Sequence, residues 1–491
     1  MSNQTQSSDI SKVAIRGTAW RYVALFSGKF MVFISTVVLA RLLTKDDFGL
    51  VGYAVTVIAF LEGISDLGIT AALIYFPGEQ KRISTGFWLN LLTSFLFFGL
   101  TWIFAPAIAL YFQDDRVVNV TRVLSLTFPF LALGYVHEAV LLKNLSFKRS
   151  FIPSFKKSLA KGLVSIGFAL AGFGPWSLIW GQLFGTLISS ISYWIVTPWR
   201  PSFTLDFKMG YELLKYGSAF IAGELLAVLL MNLDYLLVGR YLGSEKLGVY
   251  TLAFRMPDLL ILEFARTLSN VLFPIYSQMR EQTGGMSRAF FLATRYISLL
   301  TIPMGLGLAL VAEPFILTFF TEKWIDAVPV VRGIAIYAML LSVVHNTSSV
   351  YWAEGRPQIL TWVGLARLAM LFPALLWAVL TAQSIVMVGW MHALIAFFSV
   401  LLNFYIATHL IGLSMLEIGR ALRPALLTGA LMSVGVIVVM QATQAIIAPW
   451  LLLTVSVLTG GITYLVGLWF FQRDILIAAS EKLLVAIGRD K

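Results

Sequence analysis

Val38–Ala54 reads VLARLLTKDDFGLVGYA, a short polar turn at Thr44–Asp47 between two long apolar runs. A second copy follows, because Leu237–Ala253 reads LVGRYLGSEKLGVYTLA. Arg41 matches Arg240, Leu43 matches Leu242 and Gly49 matches Gly248 at one offset (240 − 41 = 199; 248 − 49 = 199), and Asp46 falls on Glu245. Two apolar runs joined by a polar hairpin, met twice, point to a duplicated helical protein. The flanking chain has to carry that reading.

Of the 491 residues, 58% are hydrophobic and 12% charged. Soluble domains are about half apolar and about a quarter charged. The apolar excess runs the whole length, so the chain reads as an all-α polytopic membrane protein. The net charge of +11 fits basic loops on a cytoplasmic face and is not read as nucleic-acid binding. No cysteine is present, and four scattered histidines offer no zinc site. The polar start MSNQTQSSDISKVAIRGTAW lacks an early apolar core and a small-residue cleavage site. The first helix is therefore expected to be retained.

Runs of spanning length fall near residues 18–42, 48–75, 86–111, 118–142, 157–174, 176–197, 213–239, 247–274, 290–318, 328–352, 357–380, 385–410, 425–446 and 450–471. Fourteen helices are expected. Gly172–Pro175 makes the tight break after the fifth run a turn. With the N-terminus inside, the outer loops hold only Arg41, Lys45, Arg116, Arg240, Lys246 and Lys323, and inner Lys and Arg outnumber these by more than three to one. Both termini are thus expected in the cytoplasm. Residues 203–217 and 413–427 mix charges with apolar residues and read as interfacial helices or ordinary connectors. Trp199, Trp324, Trp450 and Trp469 fit an aromatic belt. No loop exceeds about 20 residues on this reading, and no Walker A pattern is present. A soluble catalytic or nucleotide-binding domain is therefore not expected.

Other echoes support duplication. Pro106 and Phe112 match Pro314 and Phe320 at an offset of 208 (314 − 106 = 208; 320 − 112 = 208), Arg122 and Arg332 open the fourth and tenth runs, and YVHEA and VVHNT place His137 and His345 deeper in them. Parallel repeats with a site between the halves are a common transporter plan. The expected organisation is a cytoplasmic tail 1–17, an N-lobe 18–200, a C-lobe 201–412, two further helices within 413–471, and a C-terminal tail 472–491.

An ionisable side chain at membrane depth needs a partner, water or a role. The densest set is Arg255, Asp258, Glu263 and Arg266. At about 100° per residue all four share one face. That face reads as self-neutralised or as a hydrophilic wall that keeps Arg for an anion. Glu62 and Asp66 stand one turn apart and suit proton exchange or cation binding. Glu224 and Asp234, with Asn232 near the latter, form another candidate cation site. Lys29 and Arg367 are single cations inside their runs, and Lys29 is also a candidate partner for Glu62 and Asp66. His137 and His345 are protonation switches or hydrogen-bonding residues. Arg41 and Arg240 read as boundary anchors.

Taken together, the chain resembles the Wzx-type polysaccharide and O-antigen flippases of the multidrug/oligosaccharidyl-lipid/polysaccharide export superfamily. The resemblance is carried by GTAW (17–20), VLARLLTKDDFGL (38–50), SDLGITAALI (65–74), FWLNL (87–91), VGRYLG (238–243), LFPIYSQMR (272–280), EKWIDAVPVVR (322–332) and AEGRP (353–357). Thr321 departs from it where Gly is expected, with an expected local effect on a turn. The resemblance implies two six-helix lobes in a V around a central cavity, plus two C-terminal helices. It implies translocation of an undecaprenyl-pyrophosphate-linked oligosaccharide from the cytoplasmic to the periplasmic leaflet by alternating access, in a bacterial inner membrane. Membrane lipids and a polysaccharide polymerase with its export machinery would be partners. No enzyme activity, cofactor or metal is expected, with H+ or Na+ as the candidate coupling ion. Arg255 and Arg266, then Lys29, are the candidate diphosphate ligands. Glu62, Asp66, Glu224 and Asp234 are the candidate ion-coupling groups, and Asp258, Glu263, Arg332, His137 and His345 the candidate charge partners. A cation-coupled multidrug antiporter and a peptidoglycan lipid-precursor flippase are the alternatives.

Overall fold

The computed structural model describes residues 28–473 apart from 145, 281, 283 and 445. GTAW and both expected tails lie outside the described residues, except for Gln472 and Arg473. The described chain is helical throughout: α1 (28–42), α2 (Lys45–Ser65), α3 (Ile69–Tyr75), α4 (Gln80–Phe112), α5 (Arg116–Leu124), α6 (Thr127–Lys143), α7 (Phe147–Leu170), α8 (Trp176–Val196) and α9 (Phe207–Pro257). There follow α10 (Glu263–Met279), α11 (Gly285–Leu310), α12 (Ala312–Phe319), α13 (Val328–Ala353), α14 (Gln358–Leu380), α15 (Ile385–Ile411), α16 (Met415–Thr443) and α17 (Pro449–Phe471).

Eleven helical stretches among the described residues are long and apolar enough to cross a membrane. The chain is a multi-pass membrane protein. A helix occupies the described part of each of the fourteen apolar runs, but three do not count separately. α1 is described only from residue 28. α7 carries Lys148, Arg149, Lys156, Lys157 and Lys161. The seventh and eighth runs merge into one stretch, Ile221–Ser269.

The exposed helix faces are strongly apolar, and the buried faces combine apolar residues with small and hydrogen-bonding ones. On α15, Trp390, Leu394, Phe397, Phe398, Leu401 and Tyr405 are exposed, whereas His392, Ser399 and Asn403 on the other face are buried. Hydrocarbon solvates the first set, and small or hydrogen-bonding residues hold helices together. Trp450 and Trp469 are exposed as a belt requires, with Arg473 stacked 4.8 Å over Trp469. Trp324 is not a belt residue, because it is fully buried.

The contacts divide the chain between Gly248 and Val249. In the first unit α7 and α8 form the closest hairpin, turning through Gly172 (φ 82°) and Gly174 (φ 55°). In the second, α13 packs on α10, α11 and α15, and α16 packs on α11 and α17. The expected interfacial helices are not separate elements. Residues 207–217 are the opening of α9, which runs unbroken to Gly243, and 415–427 are the opening of α16. Ser414 and Glu417 close a capping box there, so a start signal was present in that sequence.

The two copies of the opening stretch meet inside the first unit. Thr44 caps α2 through a reciprocal bond with Asp47. Gly243, its counterpart (243 − 199 = 44), breaks α9 with φ 84° and ψ 175°. A Cβ on Gly49 would overlap the carbonyl oxygen of Ser244, and a Cβ on Gly248 would overlap that of Lys45. Those contacts are related by the same offset (244 − 45 = 199). So are the Lys45–Glu245 ion pair, at 3.7 Å, and the Ser244–Asp46 hydrogen bond. Residue i touching j while the copy of j touches the copy of i is the signature of a twofold contact.

The second echo also has a structural basis. Phe112 and Phe320 are both buried, and the residue after each has positive φ, 59° at Gln113 and 76° at Thr321. A β-branched residue with positive φ is a true outlier, which explains why Gly is expected at 321. Thr321→Gly should raise stability by about 1 kcal/mol, read as a higher melting midpoint in detergent. An unchanged or lower midpoint would show that the turn carries no strain.

Candidate functional site

Both charged faces sit where a helix is irregular. α2 stops at Ser65, Leu67 and Gly68 take φ 47° and 70°, and α3 restarts at Ile69. The break leaves orphan N–H groups, and Asp66 answers them. Its carboxylate accepts from the Thr70 amide at 3.0 Å and the Thr70 hydroxyl at 3.1 Å, and Asn90 of α4 donates to it as well. Asp66 is therefore a helix cap as much as an ion ligand. Glu62 one turn earlier is placed differently. The cations that act on it are Lys157 and Lys161 of α7, and Tyr135 of α6 lies near both Glu62 and Asp66. Glu138 bears on Asp66, feels Lys157 and accepts a hydrogen bond from Tyr193. Lys161 donates to Gln182 at 2.6 Å. Five titratable groups, Glu62, Asp66, Glu138, Lys157 and Lys161, thus share one half-buried region of the first unit.

The sequence reading missed Glu138, Lys157 and Lys161. α7 starts ten residues before its expected apolar run, so Lys157 lies in its third turn and not in a loop. The one-turn spacing of Lys157 and Lys161 was the available signal, since it puts them on one face. Gly181 and Gly185 of α8 rest against the α7 backbone at those same turns.

In the second unit the irregularity is a π-helical turn, Asp258–Leu262, directly after Pro257. A π-turn inserts one residue into the helical ladder. Asp258 and Arg266, eight apart in sequence, therefore align as residues seven apart would in a regular helix. Arg266 reaches back along α10 and forks between two carboxylates, 3.0 Å to Asp258 and 3.1 Å to Glu263. Each of the three side chains keeps close to 30% of its exposure. Glu263 and Asp258 thus share one guanidinium, as the self-neutralised reading of that face expects. Arg255 is half-buried one turn before Asp258. His345 of α13 stands near enough to feel the charges of Arg266 and Arg367. Arg367 of α14 donates to the Tyr337 hydroxyl at 2.9 Å and covers its ring, and His392 packs on Tyr337 at 5.1 Å. Behind this face Asn346 bonds Thr294 at 3.0 Å and Tyr351 bonds Asn403, so α11, α13 and α15 are pinned by buried polar contacts.

Three expectations need correction. Glu224 and Asp234 do not form one cation site. They lie ten residues apart on continuous α9, about 15 Å along its axis, with Glu224 exposed and Asp234 buried. Arg332 is not a partner of the Arg266 face. It pairs with Glu313 at 3.6 Å near the start of α13, both side chains well exposed, and stands thirteen residues, about 20 Å, from the level of His345. His137 is not among the charged groups. It is boxed by Phe87, Trp194 and Trp199 with ring centroids 4.7–6.4 Å away, while its neighbour Glu138 meets the carboxylates. Lys29 is half-buried on α1, and the lysines identified beside Glu62 are those of α7. Arg240 is anchored as expected, donating to the Tyr111 carbonyl at 2.7 Å and stacking on its ring.

Among the described residues no group of His, Cys, Asp and Glu could hold a metal ion. Chemically, one face offers a guanidinium to an anion and the other offers carboxylates beside lysines that suit proton exchange.

The chain is similar along most of its length to proteins named for the biosynthesis of teichuronic acid and of succinoglycan. It is 27% identical over 461 residues to the teichuronic acid biosynthesis protein TuaB of Bacillus subtilis (strain 168), covering 93% of this chain and 95% of that protein. It is 26% identical over 359 residues to the succinoglycan biosynthesis transport protein ExoT of Rhizobium meliloti (strain 1021), covering 73% and 72%. Its fold is similar to that of the lipid II flippase MurJ in an inward closed conformation, with a TM-score of 0.76 at 15% identity, covering 93% of this chain and 100% of the other. Residues 38–329, more than half of the sequence, match the family model described as polysaccharide biosynthesis protein. The chain belongs to the polysaccharide biosynthesis protein family.

Proposed function

We propose that this protein is a transporter that flips a lipid-linked oligosaccharide repeat unit, with undecaprenyl diphosphate as the carrier, from the cytoplasmic to the periplasmic leaflet of a bacterial inner membrane. The carrying observation is the Arg266 fork at the π-turn, in a chain of this family. A diphosphate needs planar, permanently charged donors. Arg266 supplies one, and Arg255, eleven residues earlier and before the π-turn, is the second candidate. Asp258 and Glu263 hold the guanidinium ready and compete with the cargo, so binding is strong enough to select and weak enough to release. On this reading the chain crosses the membrane fourteen times with both termini cytoplasmic, works by alternating access, and passes its cargo to a polymerase and export machinery.

Glu62 and Glu138, set against Lys157 and Lys161, are the groups we assign to coupling with H+ or Na+. Asp66 is left to cap α3. The test is reconstitution in vesicles with a lipid-linked oligosaccharide, with and without an imposed H+ or Na+ gradient. One of the two gradients should raise the flipping rate of the wild type, and Glu62→Gln should lose that increment while retaining the ungraded rate. No flipping under any condition by folded protein would overturn the proposal. A full response to the gradient in Glu62→Gln would overturn the coupling assignment alone.

A further inference from the structure

A cavity of about 400 Å³ lies in the second unit, away from the Arg266 fork. Phe291, Arg295, Arg420, Arg423, Pro424, Leu427, Phe471 and Gln472 line it. Three arginines therefore surround one space, and no Asp or Glu lines it among the described residues. Their grouping is built into the helices. Arg420 and Arg423 are three apart on α16, with Leu427 one turn further, which puts all three on one face. Phe291 and Arg295 are likewise four apart on α11, which packs directly on α16. The end of α17 closes the space with Phe471 and Gln472. Arginine cannot shed its proton in a protein, so the cavity is permanently cationic. The Nε of Arg295 is buried and lacks a hydrogen-bond partner among the described residues, and a buried donor without an acceptor is destabilising. Glu417, the nearest acid placed on α16, feels Arg420 but is taken up in capping Ser414.

The rest of the lining says what kind of anion fits. Phe291, Leu427 and Phe471 are apolar, and Leu427 and Phe471 are exposed. The arginines stand five to eight residues into α16 and ten into α11, about 8–15 Å from those helix starts, in the first half of each helix. A permanently cationic pocket with an apolar, exposed wall in the first half of two long apolar helices fits an amphiphile with a phosphate head. Basic pockets between spanning helices on the cytoplasmic side are known headgroup sites.

We propose that Arg295, Arg420 and Arg423 bind the phosphate of an anionic bilayer phospholipid, at a site separate from the cargo site. The proposal does not depend on the transport reading, since its readout is lipid binding. The experiment is thermal unfolding of the purified full chain in detergent with added phosphatidylglycerol, phosphatidylcholine or inorganic phosphate. Phosphatidylglycerol should raise the wild-type midpoint by several degrees, and phosphatidylcholine and inorganic phosphate should not. Arg420→Gln with Arg423→Gln should lose the shift, and Arg420→Lys with Arg423→Lys should keep part of it. Equal shifts from the two lipids would overturn the proposal. So would a full phosphatidylglycerol shift in the Gln variant, and an equal effect of inorganic phosphate would overturn the lipid source. If the Gln variant does not fold, displacement of spin-labelled phosphatidylglycerol from wild type by phosphatidylglycerol but not phosphatidylcholine reads the same site. Equal displacement by both lipids would overturn it.

Discussion

Arg266→Ala should cut surface-polysaccharide export more than tenfold while the protein remains in the membrane. Two effects act together. The cargo's diphosphate loses its forked donor, and Asp258 and Glu263 are left facing each other with no shared cation. Breaking a fully buried pair costs about 3–5 kcal/mol. These side chains keep close to 30% exposure, so solvent screening lowers the stability loss to roughly 1–3 kcal/mol. Membrane-inserted protein should survive that loss. The triple variant Arg266→Ala, Asp258→Asn, Glu263→Gln separates a structural role from a cargo-binding one, because it removes the uncompensated acids along with the guanidinium. A cargo-binding arginine predicts that export stays lost. Recovery of export in the triple variant would show that Arg266 only neutralises its neighbours. Arg266→Lys should fall between wild type and Ala, since an ammonium keeps the charge but lacks the planar fork of N–H donors that a diphosphate engages.

The second large effect is expected at the paired turns. Gly49→Ala and Gly248→Ala each place a Cβ against backbone, at Ser244 and at Lys45 respectively, and backbone cannot rotate out of the way. Each should cost about 1–3 kcal/mol or more, read as a lower melting midpoint and less folded protein. The two losses should not add. Once one Cβ has pushed the turns apart, the second meets open space, so the double variant should cost clearly less than the sum. Full additivity would mean that the two contacts are independent. Substitution at Gly28 or Gly99, where a Cβ meets nothing within 4 Å, is the control.

The helices were legible because hydrocarbon demands long apolar runs, and the doubled turn because both copies of the stretch hold their glycines. Gly49 and Gly248 each lie against backbone, and no other residue fits there. The shared face of Asp258, Glu263 and Arg266 was legible in the sequence, and the structure joins them at one guanidinium. A projection at a fixed angle per residue assumes a regular helix. It shows neither the π-turn that follows Pro257 nor the break after Asp66. Glu138 was overshadowed by His137, whose ring turned out to be aromatic packing. Lys157 and Lys161 were hidden for another reason. Lys157 opens the expected fifth run and Lys161 lies inside it, but spacing along one helix says nothing of the acids that other helices bring beside them.

The twofold contact at the opening stretch has a consequence for ancestry. Lys45 faces Glu245, and Ser244 faces Asp46. A polypeptide holding only the first copy could close the same contact on a sister chain, Lys45 against the sister's Asp46, twice over. One holding only the second could do so with Ser244 and Glu245. In the present chain the lysine of the first copy meets the acid of the second, and the serine of the second meets the acid of the first. Each copy therefore holds residues that can change while their counterparts stay, a freedom that two identical chains would lack.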